Sequence, residues 1–399
     1  MEKVRQKIEI FDNRSINVRE SIDLKEIKEA LEANFSISDN ILKPNMVEHH
    51  IKYLDSKFRK SENNIRVFIA YSGEEPRGYV VSDLNPEYKS YGRKCGTFGW
   101  LYGKDSKIIK ELLIHCEEFV KENKLRRIRG PINFPKNETG FGLQINGFEH
   151  DPLYGVALRN PNVGLYECLL NLRYEAEAEY TCLQVIEEVW TKGNSLNKSL
   201  KLCCVSFKEL MERLDEIIEL TRDSFVTLLP DTSGGGRDNI LELLHLATSI
   251  PKTHFRYEKN PEVYVKYKNI PEFIEAWQES DLENMVTMFP MVVERNTNKL
   301  IGMLIGVLDH YQYWKDEYVS RVNVHTAMVR KGYNGKGVFS SLNNFGQATN
   351  RCMMGTTYFE GTGVWTRNSK GVNNEKAVRS IFPHCIPIRT HVVFEKKLK

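Results

Sequence analysis

HTAMVRKGYNGKGVFSSL, running from His325 to Leu342, decides the fold. Strand-like residues lead into a loop with Gly332, Gly335, Lys336 and Gly337, and an apolar helix pattern begins at Val338. Such a loop leaves several backbone N–H groups without intrahelical partners, and they converge on an anion with the helix dipole behind them. Glycine suits the position because a side chain would hold a phosphate away from the backbone. Neither a P-loop nor a dinucleotide fingerprint fits, since the Lys-Ser/Thr ending of the first and the G-x-G-x-x-G order of the second are both missing. A plain tight turn between strand and helix is the competing reading.

Outward from this loop, the same order of elements occurs twice. Arg66–Ser82 reads as strand, turn at Gly73–Pro76, strand. Gly96–Tyr102 is a strand and Ile108–Leu125 a helix, with Ile109, Leu112, Leu113, Cys116, Phe119 and Val120 on one face. Arg126–Phe134 supplies the next strand. In the second half, Met291–Leu308 reads as a hairpin turning near Asn296–Asn298, and Val319–Val329 as a strand. The loop, a helix from about Val338 to Asn350 and a strand at Thr356–Thr366 complete the copy. Two related α/β units follow, with a boundary near Ile186–Leu202, where the polar TKGNSLNKS interrupts the apolar pattern. Arg222–Pro261, with its Gly234-Gly235-Gly236 run, reads as an insertion or lid between a helix and the second hairpin.

The 399 residues suffice for two domains, and 41% hydrophobic with 27% charged residues is a globular composition. A net charge of +3, from 56 basic against 53 acidic residues, lacks the one-signed field of a nucleic-acid binder. The cluster Lys124–Arg129 reads as a solvated helix end. No apolar run is long enough to span a bilayer, and MEKVRQKIEIFDNRS has no signal-peptide core, so peripheral contact is the only membrane association left open. Eight scattered cysteines without a C-x-x-C or zinc spacing read as reduced thiols in a cytoplasmic protein. No oligomeric state follows from the sequence.

The loop resembles the pyrophosphate loop of acyl-CoA-dependent GNAT N-acyltransferases, which read roughly R/Q-x-x-G-x-G/A within a phrase like YRGKGIG. Tyr333-Asn334-Gly335-Lys336-Gly337-Val338-Phe339 keeps two glycines and the lysine, with Asn334 for the usual Arg or Gln and Phe339 for the usual small residue. The whole order of elements is similar to that superfamily in tandem, and more closely to a group of two-domain bacterial proteins that includes ceramide synthase-like members. The likeness runs through RGPINF (Arg129–Phe134), NETGFGL (Asn137–Leu143), INGF (Ile145–Phe148) and Asn160-Pro161. It resumes with the glycine loop, Glu360, Asn368 and THVVFEK (Thr390–Lys396). Asn162-Val163-Gly164 stands where relatives carry a Tyr pair.

The resemblance implies an α/β (α+β) fold of two tandem GNAT-like domains, each a mixed twisted sheet flanked by helices. Residues 1–190 would form a degenerate N-terminal domain and 191–399 the C-terminal domain that holds acyl-CoA. Gly103-Lys104-Asp105 is too short for a second pyrophosphate loop. The implied chemistry is acyl transfer from acyl-CoA, a co-substrate needing no metal, to a small-molecule or lipid amine, extending to a long-chain, sphingoid-like one. Two rivals stand beside it: an aminoacyl-tRNA-dependent peptidyl-type transferase, which the near-neutral charge disfavours, and a non-catalytic GNAT-like binding module, which Asn334 and Phe339 favour.

Residue roles follow from the same likeness. Glu360 is the first candidate base, against a carboxylate in a structural ion pair, and His325 the second, against a satisfied core histidine. Tyr358 and Tyr313 are candidate acids. The backbone of Ala327, Met328 and Val329 would polarise the thioester carbonyl. Gly332, Asn334, Gly335, Lys336, Gly337 and Val338 would hold the pyrophosphate. Asn368 would hold pantetheine or cap the following helix. Asn137 and Glu138 would bind the amine or organise a turn. Met285–Met291 and Tyr311–Trp314 would line an acyl tunnel or pack the core.

Overall fold

In the computed structural model, residues 15–60, 64–160, 162, 164–187, 189–190, 195–225, 231, 236–246, 248–255, 261–281 and 283–399 are described. The N-terminal fourteen residues, Pro161 and Val163, residues 191–194 of the polar stretch, and Gly234 and Gly235 of the glycine run lie outside them.

Local sequence sets the elements. The first half contains β1 (Ile16–Ser21), α1 (Leu24–Asn34), α2 (Leu42–Phe58), β2 (Ile65–Ser72), β3 (Glu75–Asp83) and β4 (Gly96–Gly103). It continues through α3 (Ser106–Glu122), β5 (Arg127–Gly130), β6 (Leu143–Asn146) and β7 (Glu175–Val185). Asp105 starts α3 by accepting the Ile108 N–H at 2.9 Å, and the six apolar residues expected on one face are all buried. Burying each large aliphatic side chain there contributes about 1.5–3 kcal/mol. β5 stops at Gly130 rather than running to Phe134, because Pro131 has no N–H to continue a ladder.

The second half repeats the plan with β8 (Leu200–Cys203), α4 (Leu214–Phe225), β9 (Met291–Glu294), β10 (Leu300–Leu308) and β11 (Arg321–Val329). Then come α5 (Val338–Met354), β12 (Tyr358–Asn368) and β13 (Ile386–Lys397). All nine residues of LIGMLIGVL in β10 are buried, as a continuous apolar run is when both sheet faces are covered. α5 begins at Gly337 and ends at Gly355, both left-handed. It is buried almost all round despite carrying Ser340, Ser341, Asn343, Asn344, Gln347, Thr349 and Asn350.

Among the described residues the two halves share one 13-stranded mixed sheet, in the order β1-β2-β3-β4-β5-β13-β7-β12-β11-β10-β9-β8, with β6 also on β13. The centre is a reciprocal exchange. β7, from the first half, pairs with β12, and β13, from the second, pairs with β5. β7 and β13 pair with each other from Ile386↔Gln184 to Glu395↔Glu175. Below this seam, fully buried Arg129 on β5 forms ion pairs with Asp231 at 2.6 Å, Glu177 of β7 at 2.6 Å and Glu395 of β13 at 3.2 Å. Tyr88 and Tyr180 donate to the same Asp231 carboxylate. A buried guanidinium is tolerable there because its carboxylate partners come with it.

Met285, Met288, Phe289, Met291 and Tyr311 belong to the main hydrophobic core, so core packing, not an acyl tunnel, accounts for those clusters. Among the described residues no helix is long and apolar enough to cross a membrane.

Candidate active site

β11 and β12 run parallel but pair only from Arg321↔Tyr358 to Val324↔Gly361. At this point the β10–β11 register skips a residue, with Ile305↔Thr326 followed by Gly306↔Val324, and the residue bulged out is His325. Beyond it the strands part. The gap is a cleft of about 400 Å³, lined by His325, Ala327, Val329, Asn334, Gln347 and Thr362 among others. The Arg330 N–H donates to Ile301 of β10 at 2.8 Å. Alternation along the strand therefore turns the backbone groups of Ala327 and Val329 toward the cleft. The Met328 side chain is buried on the opposite course, with its sulfur accepting the Thr221 hydroxyl at 3.2 Å.

The glycine loop continues the cleft. Gly332, Gly335 and Gly337 have φ of 85°, 74° and 79°. A Cβ at Gly332 or Gly335 would meet nothing within 4 Å, so the loop faces open space. A second cavity of about 330 Å³, lined by Tyr333, Asn334, Gly335, Gly337, Val338 and Phe339, shares Val329, Asn334 and Phe339 with the cleft. The first intrahelical bond of α5 runs from the Ser341 N–H to Gly337 at 2.9 Å, so the Val338 and Phe339 amides lie ahead of it. Phe339 forms part of the wall without filling the space. Lys336 does not line the cavity; its ammonium rests 4.3 Å from the centre of the Tyr333 ring.

On the other side of the sheet a narrow pocket is lined by Phe141, Gly155, Tyr180, Cys182 and His391. The pocket is small, about 20 Å³, and His325, Thr362 and Gly363 form a wall common to it and to the cleft. His325 Nδ1 and the Thr326 hydroxyl are hydrogen-bonded at 2.7 Å. Burial, helped by the Lys136 charge, lowers the His325 pKa to about 3, so the ring is neutral at ordinary pH. Burial also lowers His391 to about 4, and its Nε2–H donates to the Ala157 carbonyl at 3.0 Å.

Other expected residues lie elsewhere. Glu360 is fully buried and lines neither cavity. Its Oε1 is 3.1 Å from Arg389 Nε, an ion-pair distance without hydrogen-bond alignment. Its Oε2 accepts from Arg389 Nη2 at 3.2 Å and from the Tyr358 hydroxyl at 2.7 Å. Burial, then the neighbouring Glu360, pushes the Tyr358 phenol upward. Asn368 Oδ1 accepts the Lys370 and Val372 N–H groups at 3.0 and 2.9 Å and organises the turn after β12. Buried Asn137 donates to the Asn239 carbonyl at 3.1 Å, and Glu138 lies 3.3 Å from His49. Neither lines the small pocket. Asn343, Gln347, Asn374 and His391 do line these spaces and were not singled out from the sequence. The spacing of Phe339, Asn343 and Gln347, four residues apart on a helix opening from the loop, was a readable signal.

The first half repeats the bulge but has filled its gap. Between Tyr79↔Tyr102 and Val81↔Gly99 one residue is extra, and Trp100 takes φ 51°. β4 and β5 pair only at Gly96↔Ile128 and Thr97↔Arg129. The chain after β5 then folds into the opening. The Ile132 N–H donates to Phe98 at 2.7 Å, and Asn133 Oδ1 accepts the Trp100 N–H at 2.7 Å. The Asn160 and Asn162 side-chain amides donate to the Leu101 and Gly103 carbonyls. Backbone groups that would face a ligand are already used.

No protein-family model matches the chain, and no curated protein sequence matches it. Solved structures do. A tandem GNAT protein from the clavulanic acid biosynthesis pathway has a TM-score of 0.53 at 10% identity, over 96% of this chain and 98% of that one. A GCN5-related N-acetyltransferase from Sphaerobacter thermophilus has 0.51 at 10%, over 96% and 95%. A conserved protein of unknown function from Enterococcus faecalis V583 has 0.52 at 10%, over 96% and 73%. At this identity the likeness concerns the fold, a tandem GNAT fold in which helices flank a mixed sheet shared by both halves.

Proposed function

We propose that this chain is an acyl-CoA-dependent N-acyltransferase working through its second domain, residues 191–399, with residues 1–190 as a degenerate domain that walls the acceptor side. One observation carries the reading: the gap between β11 and β12 runs on to the glycine loop, and only the wall of His325, Thr362 and Gly363 stands between it and a small pocket of about 20 Å³. The residues fit the co-substrate. Open amides around Gly335 and at the start of α5 suit a diphosphate, and the strand edge at Ala327 and Val329 suits a pantetheine arm and a polarised carbonyl.

The acceptor pocket carries no charged side chain in its lining. An amine reaching it sheds its proton to the solvent, since burial disfavours the ammonium form. In the tautomer whose Nδ1–H donates to the Thr326 hydroxyl, His325 Nε2 is an accepting nitrogen. A free ammonium is a poor donor to so weak a base, whereas an amine nitrogen already bonded to the carbonyl carbon is a good one. The N–C bond forms, the C–S bond breaks, and the proton passes from nitrogen through His325 to the departing sulfur. Glu360, held by Arg389 and Tyr358, acts in this scheme as a positioning residue for the base of β12.

The finer assignment, to the group that includes bacterial ceramide synthase-like proteins and a sphingoid-like amine, rests on the first-half motifs around RGPINF and NETGFGL. A cytoplasmic setting rests instead on the eight free thiols. Titration calorimetry with CoA, and thiol release from acetyl- and palmitoyl-CoA with short amines and a sphingoid base, test the proposal. We expect one CoA site and turnover with one amine class. No heat with any CoA species overturns it.

A further inference from the structure

α5 is a helix whose buried polar side chains are matched by the protein, with one exception. Ser341 donates to Glu272 at 3.0 Å, Asn343 to the Phe339 carbonyl at 2.8 Å, and Thr349 to the Phe345 carbonyl at 2.7 Å. Asn344 Oδ1 accepts the Trp190 N–H at 3.1 Å. Asn350 donates to Gly346 at 2.7 Å and accepts from Thr287 at 2.6 Å. Gln347 is 3% exposed, yet neither its Oε1 nor its Nε2 has a partner. Native proteins seldom leave a buried amide in that state, and this one lies, closed to water, in the wall of the large cleft.

Its height in the cleft identifies what it would meet. Phe339, Asn343 and Gln347 line the cleft four residues apart, so Gln347 lies about 12 Å along α5 from its start at the loop. α5 returns antiparallel to β11 after the loop. Stepping back from Val329 to His325 along β11 covers about 13 Å. Gln347 therefore sits level with the bulge, where the reacting carbonyl and the start of the acyl chain would lie, not beside the diphosphate.

We propose that Gln347 determines acyl specificity, and that the transferred acyl group carries a hydroxyl or keto oxygen close to its thioester carbon. This rests on the acyl-CoA reading above. An oxygen there supplies the partner the amide lacks. A plain alkanoyl chain would press methylenes against it and displace water without replacing its bonds, the arrangement by which a polar pocket rejects an apolar analogue.

The test uses the full chain, with butyryl-, 3-hydroxybutyryl- and acetoacetyl-CoA of equal chain length, and free CoA as reference. Dissociation constants come from calorimetry and rates from thiol release. Wild type should bind at least one oxygenated thioester tenfold or more tighter than butyryl-CoA. Gln347→Met, similar in length and without hydrogen-bonding atoms, should bring the ratio within threefold while leaving free CoA affinity unchanged. Its melting midpoint without ligand should hold or rise, because the amide has no native partner to lose. Equal or tighter binding of butyryl-CoA by wild type overturns the inference, as does a preference that survives Gln347→Met or a lowered midpoint. If wild type binds no CoA species, it is the acyl-CoA reading that fails.

Discussion

At the scale of single residues, two groups that looked alike in the sequence separate in three dimensions. His325 lines both the cleft and the small pocket behind it, and Glu360 is tied into a buried pair. Their substitutions should separate too. Glu360→Gln leaves the Arg389 guanidinium without its carboxylate, and losing one partner of a buried pair costs about 3–5 kcal/mol. Urea unfolding should show that loss, with CoA affinity of the folded fraction retained. His325→Gln should cut turnover at least a hundredfold while its stability at pH 7 changes by under about 2 kcal/mol. The pH sign follows from the lowered pKa. Unfolded, the imidazole binds a proton below about 6.5; folded, only near 3. The neutral buried ring thus stabilises above pH 6.5, and that contribution is lost as pH falls toward 3. Relative to His325→Gln, wild type should lose about 1.4 kcal/mol for each pH step of one between 6 and 4. A difference that stays flat with pH would contradict the assignment.

Among elements, the loop and the splayed strands build the proposed site, and their glycines differ in purpose. Gly335 has positive φ and open space, whereas a Cβ at Gly337 would lie 2.2 Å from the Ser195 carbonyl. Gly335→Ala should cost about 1 kcal/mol of stability and weaken CoA binding by crowding the anion. Gly337→Ala should destabilise more, because backbone must move as well. Calorimetry with CoA and thermal unfolding distinguish the two. This level was the most legible in the sequence. Hairpins, α3, α5 and the loop declare themselves through local periodicity and glycine spacing, and their observed bounds differ by a few residues. The candidate site was only half legible. Glu360 and Asn368 sit on β12, but pairing period alone does not say which face meets the cleft. Gln347 reads as a surface amide until α5 is seen to be buried all round.

For the whole molecule, the reciprocal seam is what the sequence did not disclose. β13 lies between β5 and β7, more than 200 residues away by numbering, and a long-range pairing has no local mark. The visible boundary near residue 190 therefore hides two strands that each complete the other half. Residues 1–190 and 191–399 expressed separately should fail to give a cooperative melt, because each then exposes an open sheet edge. Co-expression should restore one transition; an independently folded fragment would contradict this. Arg129→Met leaves Asp231, Glu177 and Glu395 buried together and should lower stability by about 3–5 kcal/mol, read from urea midpoints. The seam also sets an order of assembly. In the direction of synthesis Ile386–Lys397 follows every other strand of the sheet, so the middle closes only after that segment has been made. Nascent chains must carry two unpaired edges until then, and a truncation before Ile386, which removes that strand and the two residues after it, should yield aggregate rather than a half-folded protein.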